Sequence, residues 1–178
     1  MKTRSLILMS WFAFALMSCS TYSNLDIDLS HTVTVDSDTS VVNAQILLES
    51  KEVKTQDDKV YFSFRKDKIY HTRGAINGVP LHGKYEEFYP TGELKQLGYF
   101  KNGLKESVWK TWFSNGEISS LYNFKNGEKH GEYFRYSITG KVTAQGKFCR
   151  GTKVGKHLDC GGDSCVVVKY SFVNGNLK

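Results

Sequence analysis

Three cysteines stand close together near the C-terminus of the 178-residue chain: Cys149, Cys160 and Cys165. Cys160 and Cys165 bracket Gly161-Gly162-Asp163-Ser164, a run that reads as a hairpin loop. Antiparallel neighbours place their Cα atoms ~4.5–5.5 Å apart, within reach of a disulfide. The expected pairing is Cys160–Cys165, with Cys149–Cys160 as the next choice. Either leaves one odd thiol. Zinc would need a further ligand such as His157, and Cys-x4-Cys is a loose spacing for it. No metal or cofactor is therefore expected.

Acid–base chemistry finds no support. Glu86 and Glu87 are adjacent. Neighbouring strand residues point to opposite faces and cannot flank one bond. His82 and His130 fall in the same slot two repeats apart, ~19 Å from one another on a sheet, and cannot share a metal. No Gly-x-Ser-x-Gly elbow, P-loop or His-Glu-x-x-His segment is present. The sequence gives no catalytic site, and the chain reads as a non-enzyme.

The lysines are more informative. From Tyr70 to Leu158 there are 14 Lys and Arg against 7 acids. Lys101 and Lys125 recur at one interval, as do Lys105, Lys129 and Lys153. They interleave with Tyr85, Trp109 and Tyr133. Such a ladder on a broad sheet would present Lys and aromatic side chains to an acidic protein or to anionic lipid or glycan. It would also keep the sheet soluble and discourage edge pairing. Aromatics among lysines can stack on nucleic acid, but the export address described below removes that partner.

The elements behind these residues repeat. Phe100, Phe124, Phe148 and Phe172 are 24 apart, and so are Gly103, Gly127, Gly151 and Gly175. Tyr85, Trp109, Tyr133 and His157 make another such column. Tyr61, Phe64, Tyr70, Gly74 and Ile76 fit the preceding unit, with one extra residue in a Val79-Pro80-Leu81 loop. Each unit reads as two short strands and two turns. Asn102-Gly103 and Asn126-Gly127 are tight-turn pairs, because Asn and Gly tolerate positive φ. The expected fold is all-β: one elongated antiparallel β-meander of about five ~24-residue hairpins over residues 59–178, the last a degenerate cap. Gly98 and Gly146 are expected to leave room beside Phe100 and Phe148.

Upstream, Lys2 and Arg4 precede an apolar run from Leu6 to Met17. The run is about a dozen residues, short for a membrane span and suited to a signal-peptide core. Leu16-Met17-Ser18-Cys19 resembles a bacterial lipobox, although Met17 departs from its commonest pattern. That resemblance implies a signal peptide over 1–18 and lipidation at Cys19, a membrane anchor through acyl chains. Ser20 after the cysteine favours the outer membrane, facing the periplasm. Residues 19–58 read as an acidic tether: after Cys19 they hold 8 acids against Lys51 and Lys54. Ser20 to Ser40 is expected to be flexible. Val41 to Val53 is apolar enough for a short element, helix or strand.

The phrases His82-Gly83-Lys84-Tyr85-Glu86-Glu87-Phe88-Tyr89 and Lys129-His130-Gly131-Glu132-Tyr133, set between Asn-Gly turns, resemble the MORN repeat in its bacterial variant form. Residues 77–100, 101–124 and 125–148 carry the likeness best. It implies fold more than function. Relatives suggest either an envelope binding or scaffolding module with a protein partner, or an antitoxin-like protein whose partner is a toxin. The likeness supplies no catalytic residue, and oligomeric state stays open.

Overall fold

The computed structural model describes residues 30–47, 53–162, 164–173 and 176–177. Among these residues there is no helix. The strands in chain order are β1 (Ser30–Ser37), β2 (Ser40–Leu47), β3 (Val60–Arg65), β4 (Lys68–Arg73), β5 (Val79–Phe88), β6 (Leu94–Lys101) and β7 (Leu104–Trp112). They continue as β8 (Ile118–Lys125), β9 (Glu128–Tyr136), β10 (Val142–Cys149), β11 (Thr152–Gly161), β12 (Ser164–Tyr170), β13 (Phe172–Val173) and β14 (Asn176–Leu177). Twelve of them form one antiparallel sheet in the order β1-β2-β5-β6-β7-β8-β9-β10-β11-β12, with β3 and β4 off this path. β13 and β14 pair separately.

The unit is set by its turns. Asn102, Asn126 and Arg150 have φ of 51°, 50° and 48°, and Gly103, Gly127 and Gly151 follow at 79°, 80° and 76°. Two successive positive φ values make the mirror-image turn whose twist matches that of the strands. Each turn glycine also donates its N–H one unit back. Gly103 bonds to the Leu81 carbonyl, Gly127 to Lys105 and Gly151 to Lys129, at 2.7, 2.9 and 2.9 Å. The turns are thereby stitched along one end of the sheet.

A second slot needs positive φ where the strand bends. Gly83, Gly131 and Gly155 fill it, and Ser107 stands there with φ 63°. A side chain in this region costs about 1 kcal/mol. Ser107→Gly is expected to raise stability by ~0.5–1 kcal/mol, read as a higher urea midpoint at unchanged slope.

β1 corrects the expected flexible stretch up to Ser40, while β2 falls largely within the Val41–Val53 stretch expected to hold a short element. Thr32-Val33-Thr34-Val35 alternates β-branched residues, and β1 pairs β2 from Ser30↔Leu47 to Ser37↔Ser40. β2 in turn pairs β5, Val41↔Phe88 to Ile46↔Leu81. It buries Val42, Ala44 and Ile46. The Ser/Thr/Asp composition suggested a coil, but period-two alternation decides the structure. The first aromatic unit is also not the regular rung expected. The β3–β4 hairpin leaves the path, pairs with β5 only at Ser63↔Pro80 and Phe64↔Val79, and hangs on the turn end by the Phe62 N–H donating to Gly103 O at 2.7 Å. Val79, Pro80 and Leu81 lie in β5 rather than in a loop.

The core is a row of rings on one face. Val42, Ala44, Ile46, Leu81, Phe100 and Trp109 form one cluster, with Phe62, Phe64 and Ile69 of the β3–β4 hairpin packed against it. Tyr133, Ala144 and Phe148 form a second, with Tyr122 against it. Gly98 and Gly146 do leave room, but for different rings than expected. A Cβ on Gly98 would strike Trp109, and one on Gly146 would strike His157. Tyr122 fills the same slot in the middle unit and stacks on Tyr133, centroids 5.3 Å apart and nearly parallel.

The last hairpin shifts register. Gly83↔Phe100, Ser107↔Phe124 and Gly131↔Phe148 continue as Gly155↔Tyr170, not Phe172. The connection closed by Cys160↔Cys165 is shorter by two residues, so Tyr170 takes the ring slot, 4.9 Å from the His157 ring.

A basic groove at the turn end

The sequence-expected binding residues separate into two groups. Trp109 and Tyr133 are 3% and 4% exposed, and Tyr85 is half-buried. They are core, not a presented surface. A bare one-layer sheet could not hide them, but neighbouring rings pack on one another and the β3–β4 hairpin lies against the first cluster. Trp109 also satisfies its ring N–H, which donates to the Tyr99 carbonyl at 3.2 Å, beside the register shift between Leu97 and Tyr99. His157 repeats this bond two units later: Nε2 lies 3.0 Å from the Lys147 carbonyl. With Nε2 also 3.1 Å from the Val154 carbonyl, it carries the proton, and Nδ1 accepts from the Tyr133 hydroxyl at 3.1 Å.

The lysines split likewise. Lys105, Lys129 and Lys153 occupy the slot of fully buried Leu81, and each lies over the ring of its own hairpin. The Lys105 ammonium is 3.8 Å from the Trp109 centroid, with Phe62 and Phe124 at 5.5 and 5.4 Å. Burial lowers the Lys105 pKa to about 8 despite the opposing pull of Glu87, and Lys129 lowers it further. Burial lowers Lys129 too, with Lys153 and Arg135 adding repulsion. All three are half-buried against rings of their own sheet. Lys101 and Lys125 are exposed.

The depressed Lys105 pKa has a stability consequence. Above pH 8 the folded chain loses this proton, while the unfolded chain keeps it up to about 10.4. Stability therefore rises with pH across this window, by at most ~1.4 kcal/mol per unit for one group. Attraction of the rings for the ammonium, ~0.5–2 kcal/mol, offsets part of it. Urea unfolding at pH 7 to 10 is expected to show a rise of ~1–2 kcal/mol in the parent, reduced in Lys105→Met.

The remaining cations gather elsewhere. A groove of about 630 Å³ opens at the turn end, lined by Lys54, Lys59, Tyr61, Lys125, Glu128, His130 and Arg150 among others. Lys125, Asn126 and Arg150 belong to two successive turns. Lys59 comes from the chain entering β3, and the Tyr61 hydroxyl accepts the Gln56 N–H at 3.0 Å, holding that segment in place. The carboxylate of Glu128 is paired with Lys59 at 2.6 Å. The lining thus holds Lys54, Lys59, Lys125 and Arg150 against that single carboxylate.

His130 shows how the units differ here. In the same slot, His82 Nδ1 accepts the Asn102 N–H at 3.3 Å and the Glu106 carboxylate accepts the Asn126 N–H at 2.7 Å. The next residue in that column is His130, exposed and turned to the groove. The groove was not legible in the sequence because Tyr61 to Ile76 fits a regular unit, whereas the hairpin there leaves the path. The spacing of Lys125 and Arg150, one residue over a period, was the signal that could have marked it.

The other expected sites fall as follows. Cys160 and Cys165 are joined in a disulfide, and Cys149 is free and exposed. Glu86 and Glu87 pair with Lys84 and Lys95, each at 2.7 Å. Among the described residues no three His, Cys, Asp or Glu come together as metal ligands. Cys19 lies outside the described residues.

The repeating turn, bend and ring slots coincide with a family match. The model of the MORN repeat variant matches residues 81–102 and 105–126. These units are MORN repeats. The two matches cover 44 of 178 residues, 22 in each. The same pairing recurs in β9–β10, outside the matched residues, and shifts by two residues in β11–β12. MORN repeats are non-catalytic modules that typically bind proteins or membranes. A search of characterised proteins finds no match.

Proposed function

We propose that this protein is a lipid-anchored, non-catalytic binding module of the cell envelope that holds an acidic segment of a partner protein in the turn-end groove. The observation carrying this reading is the concentration of Lys54, Lys59, Lys125 and Arg150 around one concavity whose only carboxylate is already paired. Charge of one sign in a concave site raises the local concentration of an opposite ligand. The envelope address rests on the Leu16-Met17-Ser18-Cys19 lipobox-like segment. Lipidation at Cys19 would hold the sheet at the outer-membrane surface, facing the periplasm.

A protein partner fits better than a lipid face reading the whole lysine ladder. Lys105 and Lys129 sit over their own rings and cannot reach a flat membrane together with Lys101 and Lys125. The test is binding of an oligo-glutamate peptide to the full chain, beside the variant Lys125→Glu/Arg150→Glu. Both side chains are exposed, so the fold should be kept. The variant is expected to lose about tenfold or more in affinity, and the parent to weaken as salt rises. Equal binding by both proteins, or binding to anionic vesicles that exceeds binding to the peptide, would overturn the reading.

A further inference from the structure

The sheet ends differently on its two sides. β1, the outer strand on one side, reads Ser-His-Thr-Val-Thr-Val-Asp-Ser and is mainly polar. β12, the outer strand on the other, reads Ser-Cys-Val-Val-Val-Lys-Tyr, with Val166, Val167 and Val168 59%, 63% and 41% exposed. Among the described residues no strand pairs with the outer side of β12. Repeat proteins need polar terminal units, and an apolar open edge is a template for another strand.

The direction of the free backbone groups follows from the register. Gly161↔Ser164 is the last pair before the turn, and Cys160 faces Cys165 with their Cα atoms 4.0 Å apart. So narrow a pair is of the non-hydrogen-bonded kind, and the N–H and C=O of Cys165 point away from β11. With a period of two, those of Val167 and Lys169 also point outward. Val168 faces His157, so Val166 and Val168 lie on the face that carries the aromatic row.

We propose that β12 pairs antiparallel with β12 of a second copy of this chain, about a two-fold axis at Val167. In this register Val167 meets Val167 of the second copy, and Cys165 meets Lys169. The outward-pointing residues then face one another, and each such pair closes its hydrogen bonds. A slip of one residue would set outward groups against inward ones. Val166 covers Val168 of the second copy on the aromatic face, so the row through Tyr133, Phe148, His157 and Tyr170 continues across the axis. Lys169 meets no like charge. The occupant is a second copy because the edge is complementary to itself about this axis: each outward-pointing residue meets an outward-pointing one, and exposed Val166 meets exposed Val168. This proposal is independent of the groove.

The test is sedimentation of the full-length chain in detergent over a range of protein concentration. The parent is expected to move from one chain to two as concentration rises. Val167→Pro removes only an outward N–H, leaves the ladder to β11 intact, and is expected to weaken association more than about tenfold. Val167→Cys in a Cys149→Ser background is expected to form a covalent dimer on oxidation, whereas Val33→Cys on β1 is not. A parent that stays monomeric throughout, or a dimer that Val167→Pro leaves unchanged, overturns the proposal. If Val167→Pro loses its strand signal in circular dichroism, the cross-link decides: a dimer at residue 167 supports the pairing, and its absence overturns it.

Discussion

Trp109→Ala is expected to cost ~3–5 kcal/mol, a large part of the ~5–15 kcal/mol by which a domain is stable. The ring is 3% exposed and meets three other rings: Tyr85 at 5.4 Å, Phe100 at 4.9 Å and Phe124 at 6.3 Å. Such pairs contribute ~0.5–1.5 kcal/mol each beyond burial. The substitution also strips the Tyr99 carbonyl of its donor and Lys105 of its nearest ring. Equilibrium urea unfolding reads the loss. A change below ~1.5 kcal/mol would mean that the aromatic row does not hold the sheet together.

Gly98→Ala is expected to destabilise by ~3 kcal/mol or more from one added methyl. Its Cβ would land inside the Trp109 ring, on Cδ2 and Cε2, and that ring is walled in by Tyr85 and Phe100. The φ of Gly98 is not in the positive region, so the effect is steric alone. Gly161→Ala is the control: no atom lies within 4 Å of its Cβ and its φ is also ordinary. That variant should stay within ~0.5 kcal/mol of the parent by urea midpoint. If both alanines are tolerated alike, the close approach of ring to backbone is not needed for folding.

These two residues also show what a sequence can disclose. The 24-residue columns gave the hairpins, the Asn-Gly turns and the all-β meander, because turn chemistry and ring packing are local and recur with each unit. The row of rings was readable, but not which side of it met solvent. Tyr85, Trp109 and Tyr133 looked available for a partner because a simple meander has two open faces. The β3–β4 hairpin and the packing of rings from successive units cover part of one of them, and both are non-local facts. Lys105 and Lys129 were misread for the same reason. Column mates of Leu81, they follow its direction into the row and not the direction of their charge.

The ends of the array were least legible. Ser30 to Ser37 was judged by composition, although its Val and Thr alternate as a strand should. The place of β2 beside β5 depends on β3 and β4 stepping aside, which no period announces. At the other end a tight connection advanced the ring slot from Phe172 to Tyr170. The groove joins both difficulties. It is built from the turns, which were readable, and from Lys54 and Lys59 on the chain that leads into the displaced hairpin, which was not.

The groove is the proposed seat of the partner. The most direct measurement is photo-cross-linking in the native envelope, with a photoreactive residue at Arg150 and, as control, at exposed Ile138 on the opposite end of the hairpins. The account predicts an adduct with an acidic protein from position 150, lost in Lys125→Glu, and none from position 138. Adducts of equal yield from both positions, or from neither while the protein remains in the membrane fraction, would contradict it.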